Sequence, residues 1–116
     1  MAAYMKRWYA KRPGYKLVES AKYRAKKTGL EFNLDYNKMV FPRFCPVLGL
    51  PLHYEMGRGR CATRHTSASI DRLDSTKGYT LDNVVVMSYI ANTMKQDATP
   101  EQLRLFARWI KSTFGD

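Results

Sequence analysis

Four side chains in the second half of the chain have the types and spacing of a chemical site: Asp71, Asn83, Asn92 and Lys95. A carboxylate and a carboxamide supply the hard oxygen donors that a divalent cation prefers, and Lys95, three residues from Asn92, is its neighbour on the same helical face. The competing reading is turn chemistry, because Asp, Asn and Gly at strand ends mostly shape loops. For the four to meet, the chain between them must fold back on itself. Residues 67–73 alternate small or polar residues with Ile70 and Leu73, Ser75-Thr76-Lys77-Gly78 is turn-forming, and Val84-Val85-Val86-Met87 is a β-branched run. Ser88 then caps a helix expected to turn Ile90, Ala91 and Met94 inward. The spacing therefore predicts a ββα unit with Asp71 ending its first strand, Asn83 opening its second, and Asn92 on its helix.

Taken in order, IDRLD, KGY, DNV and AN followed by Lys95, with YRAKKTGLEFNL and CPVLGLPL upstream, resemble the HNH (ββα-metal) endonuclease superfamily over residues 16–105. The likeness is to the small phage-encoded, endonuclease VII-like variant. It implies a single α+β domain with an HNH-like hairpin-helix core, and an activity that hydrolyses DNA phosphodiester bonds, duplex or branched, with a divalent metal. Mg²⁺ is the metal implied first, with Mn²⁺ or Zn²⁺ as substitutes. Carried over residue by residue, Asp71 and Asn92 become metal ligands, Asn83 the orienting amide, and Lys95 a contact to the nucleic-acid backbone. One position departs from the pattern: the family's His beside the strand-end Asp is here Arg72, whose guanidinium stays protonated and cannot accept a proton from water. With the base supplied by another group, Arg72 is expected to act as an electrostatic clamp on the scissile phosphate. The base must then be His65, Asp74 or a hydroxide supplied with the metal. A nucleic-acid-binding protein on the same scaffold without catalysis, and a phage partner-binding protein, are the alternatives.

The composition agrees with a polyanionic partner. The chain has 116 residues, a net charge of +10 and 13% aromatic residues, enough for one modest domain and a basic surface. All of the excess is N-terminal: residues 1–65 hold 14 Lys or Arg against 4 acids, and residues 66–116 hold 6 against 6. A basic half joined to a half with acidic and amide groups divides the work of attracting a backbone from that of holding a cation. No run is long and apolar enough for a bilayer, and residues 1–12 are too polar for a secretory signal, so a cytoplasmic setting is expected, in the host if phage-encoded.

The flanking elements must position the site. Residues 1–14 read as a basic, aromatic arm or short helix ending at a Pro-Gly breaker, ahead of a domain over residues 15–116. From Tyr15 to Lys27 the residues Leu17, Val18, Ala21 and Ala25 repeat at helical spacing, with Gly29 as a stop. Lys22, Arg24, Lys26 and Lys27 lie off that stripe as candidate phosphate contacts, joined by Arg58, Arg60, Arg64, Lys77 and Lys95. Residues 30–39 read as a short strand and turn. Residues 45–54 read as an irregular scaffold segment packing Val47, Leu48, Leu50 and Leu52 inward. Cys45, His53, Cys61 and His65 are four conceivable zinc ligands, but they lack a CxxC pair, so structural zinc is not expected. Thr99-Pro100-Glu101-Gln102 opens a last helix whose Leu103, Phe106, Ala107 and Ile110 are expected to cap the hairpin.

Overall fold

In a computed structural model, which describes residues 2–54 and 64–116, the strands fall where alternation and β-branching put them. Strand β1 (Ala68–Arg72) pairs antiparallel with β2 (Val84–Ser88), with Ile70 opposite Val86 and Asp71 opposite Val85. Ser88 ends β2 and caps the next helix, its side-chain oxygen accepting from Ala91 N. Four α-helices accompany this hairpin among the described residues: α1 (Ala3–Ala10), α2 (Tyr15–Thr28), α3 (Tyr89–Lys95) and α4 (Pro100–Phe114). The protein is thus a small α+β fold, and β1, β2 and α3 follow one another as the spacing predicts.

Side chains alternate across a strand, so β1 presents two faces to two helices. Ile70 joins Val18, Ala21 and Ala25 of α2 in the core, together with Leu34, Leu52, Tyr79 and Val86. Ser69 and Asp71 point the other way, towards α3, which contacts both strands. The helical stripe of α2 is buried as its sequence predicts, and Gly29 ends it with a left-handed φ of 74°.

The segment after α2 is shorter in regular structure than its alternation suggests. Phe32 alone bridges Tyr79 in parallel, with Tyr79 N donating to Glu31 O and Asn33 N to Tyr79 O, and a 3₁₀ turn follows at Tyr36–Lys38. Gly78 makes that approach possible, because a Cβ there would fall 2.3 Å from the Glu31 carbonyl oxygen.

Three expectations about packing are overturned. Val47, Leu48 and Leu50 are exposed, and only Cys45 and Leu52 of that segment enter the core. The segment reverses at Gly49 with Cys45 N donating to Leu50 O, so its tip projects outward. Met94 is exposed, leaving Ala91 as the buried residue of α3. Helix α4 has its capping box, with Thr99 and Gln102 bonding reciprocally, but none of its residues is buried and it does not cap the hairpin. Apolar periodicity fixes that a helix has a sticky face; which surface covers that face is a long-range matter.

Candidate functional site

Asp71 and α3 form the centre of the site. The Asp71 carboxylate is buried, and its Oδ2, fully covered and without a hydrogen bond, lies 3.1 Å from Lys95 Nζ. The contact is an ion pair at close range, outside the angles of a hydrogen bond. One turn earlier on α3, Asn92 Nδ2 donates to Ser69 Oγ at 3.2 Å, and Ser69 Oγ donates in turn to Met87 O. Two neighbours on one helix face thus meet two neighbours on one strand face, Asn92 on Ser69 and Lys95 on Asp71. Ser69 is the member that sequence reasoning missed. Its position two residues before Asp71, on the same face of the strand, was the available signal.

The remaining predicted residues lie elsewhere. Arg72, next along β1, faces away from Asp71: its Nη1 donates to Ser75 O and Lys77 O, and its guanidinium lies 5.0 Å from the Tyr79 ring centroid. Asn83 is buried and spends its amide on the hairpin loop, accepting from Asp74 N and donating to Asp74 O and Gly78 O. Asp74 accepts from the Thr76 hydroxyl at 2.6 Å and the Thr76 N–H at 2.9 Å, bonds that hold its carboxyl below the usual range and keep it ionised. Arg72, Asp74 and Asn83 together therefore hold the loop between the strands. His65 is exposed, in a 3₁₀ turn (Arg64–Thr66) that packs against α3. Arg58, Arg60 and Cys61 lie outside the described residues, as does the Arg64 side chain.

The oxygen donors that could hold a hard cation here are the Asp71 carboxylate, the Asn92 carboxamide and the Ser69 hydroxyl. Among the described residues no group of three or more His, Cys, Asp or Glu comes together. The buried, hydrogen-bond-free Oδ2 fits a cation partner, and Lys95 supplies one in this structure. Cys45 and His53 have other engagements: Cys45 Sγ accepts from Ser88 N and Leu48 N, and His53 Nδ1 pairs with Thr66 Oγ1 at 2.7 Å. Burial pushes the Cys45 thiol up, but the Ser88 side chain and the N–H groups of Ser88, Leu48 and Val47 outweigh it, and the thiol ends lowered to about 7.

A basic surface lies on the other side of β1. Lys22, Arg24, Lys26 and Lys27 are exposed along α2. Arg24 Nε donates to the Tyr79 hydroxyl at 3.1 Å, so Arg24 and Arg72 flank one ring from two different elements. The aromatic residues of the arm build its junction with α2: Trp8 packs edge-on against Tyr15 at 4.7 Å, with the Arg12 guanidinium 4.0 Å from the Trp8 centroid.

No family model, curated protein or solved structure matches the chain.

Proposed function

We propose that the chain is a divalent-metal-dependent endonuclease acting on DNA, on an HNH-like β-hairpin and helix. One observation carries this reading: a buried carboxylate oxygen on β1, without a hydrogen bond, faces a helix that brings a carboxamide and an ammonium group to the same strand face. Asp71 and Asn92 would hold the ion, with Ser69 orienting Asn92. A divalent cation bound there would neutralise charge developing at the scissile phosphate. Lys95, released from Asp71 by that cation, would contact the phosphate backbone, and the cations of α2 would hold the flanking strand. The loop contacts of Arg72 and Asn83 suit a positioning role, in which both set the end of β1 and so the place of Asp71. His65 remains the first candidate for the base because its turn packs on α3. Asp74, ionised and bonded to Thr76, would be a weaker base.

The ion pair also favours a second reading. Lys95 already neutralises Asp71, so a nucleic-acid-binding protein without catalysis would need no metal at all. Plasmid nicking with Mg²⁺ or Mn²⁺, set beside DNA affinity measured in chelator, separates the two. The endonuclease reading expects metal-dependent nicking that Asp71→Asn abolishes while affinity is kept. Binding without nicking under every metal condition would establish the second reading instead.

A further inference from the structure

Helix α1 is basic and aromatic, and none of its residues is buried. Its eight residues are too few for a helix to persist alone in water, so α1 depends on what holds it to α2. Trp8 packs edge-on against Tyr15, the Tyr9 ring lies 6.2 Å from that of Tyr15, and the Tyr9 hydroxyl donates to Glu19 Oε1 at 2.9 Å. Tyr15 is itself anchored to the body, its ring 5.2 Å from that of Tyr36, whose hydroxyl donates to Pro13 O. These contacts leave a recess of about 290 Å³ between the two helices, lined by Tyr4, Met5, Trp8, Tyr9, Tyr15 and Glu19. Tyr15 is fixed, but Tyr4 is 67% exposed and Trp8 38%.

The charge around the recess limits what can enter it. Residues 1–29 hold nine Lys or Arg against one acid, so +8 of the net +10 lies on this stretch. Two of these cations sit by rings that line the recess: the Arg12 guanidinium is 4.0 Å from the Trp8 centroid, and Lys16 Nζ is 5.1 Å from the Tyr9 centroid. The one acid, Glu19, already accepts from Tyr9. A cationic guest is repelled by such a surface, and a neutral apolar one gains nothing from its charge. The ligand that uses both rings and cations is a flat aromatic group joined to an anion, as an unpaired base is joined to its phosphate. A duplex does not offer one, because its bases are stacked and paired. The track continues along α2, where Tyr23 lies four residues beyond Glu19 on the same face. Tyr23 is 67% exposed, with Lys27 Nζ 5.9 Å from its centroid.

We infer that α1 and α2 together bind single-stranded DNA, stacking one unpaired base in the recess against Tyr4 and Trp8 and another on Tyr23, while Arg12 and Lys16 take phosphates. The inference rests on the reading of the chain as a DNA-binding protein, catalytic or not, and names the state of the strand that it prefers. Every base has a π face, so these contacts carry no sequence preference.

The test uses the full chain carrying Trp109→Phe, which leaves Trp8 as its one indole. It is titrated in chelator with oligothymidylate, which does not pair with itself, and separately with a blunt duplex of equal phosphate number. Oligothymidylate should bind more tightly and quench Trp8 emission, whereas the duplex should bind by charge and leave the emission little changed. Tyr4→Ala, added to this background, puts a strong helix former in α1. It should weaken oligothymidylate binding by about tenfold while duplex affinity stays unchanged. The slope of log affinity against log salt should also stay unchanged, because stacking releases no counterions. Tyr4→Phe keeps the ring and should bind as its parent does. Arg12→Gln with Lys16→Gln should instead weaken both DNAs and flatten both slopes. Salt-dependent duplex binding at least as tight as single-strand binding, or Trp8 emission unmoved by oligothymidylate, overturns the inference and leaves the DNA-binding reading standing. A Tyr4→Ala protein that binds oligothymidylate as its parent does overturns it as well. Binding of neither DNA overturns the inference and the DNA-binding reading together.

Discussion

Replacing Lys95 by Met keeps the length of the side chain and removes its charge, leaving Asp71 buried with an Oδ2 that has neither a hydrogen bond nor, among the described residues, an ion-pair partner. The cost can be bracketed. Breaking a fully buried pair from one side costs about 3–5 kcal/mol, and an exposed pair is worth about 0–1 kcal/mol. With side-chain exposures of 24% for Lys95 and 10% for Asp71, this pair falls between, at about 2 kcal/mol. At roughly 4 °C per kcal/mol for a chain of this size, Tm should fall by about 8 °C. The assay is thermal unfolding followed by circular dichroism at neutral pH, in chelator and then in Mg²⁺.

The metal arm makes the prediction specific to the site. If Asp71 and Asn92 hold a divalent cation, removing the competing ammonium should strengthen binding, and the ion should restore part of what the substitution lost. An ion at ten times its dissociation constant stabilises the fold by about 1.4 kcal/mol, so Mg²⁺ should recover about 5 °C in Lys95→Met and less in wild type. A variant melting within a degree of wild type in chelator would refute the structural role of the pair. A variant that loses stability but gains nothing from Mg²⁺ or Mn²⁺ would refute the metal site and leave the pair purely structural.

Other residues make independent predictions. Asn83→Ala removes three side-chain hydrogen bonds to the loop, at about 1 kcal/mol each; chemical denaturation should show a loss of about 3 kcal/mol, and a variant as stable as wild type would contradict the loop-holding role. DNA affinity should fall steeply with salt, with a log-log slope of several units that flattens when Lys22, Lys26 and Lys27 are neutralised together; an unchanged slope would move the contact surface off α2. The Cys45 thiol, lowered to about 7 in the fold against about 8.5 for a free thiol, favours the folded state as its ionised form. That contribution should be fully present above about pH 8.5 and lost as pH falls through 7. Denaturation midpoints should therefore rise across that window in wild type and stay flat there in Cys45→Ala.

The sequence carried the local order of the fold well, because each element there is specified by contacts within a few residues. The β-branched run of β2, the Ser88 cap, the α2 stripe ending at Gly29 and the Thr99-Gln102 capping box are all such features, and all stand in the structure. Period-2 alternation also carries the strand face, which is why Ser69 and Asp71 lie together on the side of β1 that meets α3. What the sequence withheld was the choice among partners. A buried Asn at the start of β2 has the same type whether its amide turns to a site or to a loop, and here the open carbonyls of Asp74 and Gly78 took it. Arg72 likewise follows Asp71 in the chain but belongs to the opposite face, where the carbonyls of Ser75 and Lys77 and the Tyr79 ring compete for its charge. Helix α4 is the extreme case, since its apolar face is written in its own residues while its covering surface is not. The same logic separates the two functional readings. A carboxylate facing an ammonium is a finished structural pair if nothing displaces Lys95, and a cation site if a divalent ion does. Only a perturbation that removes the ammonium without filling its place distinguishes a pair kept for the fold from one kept for chemistry.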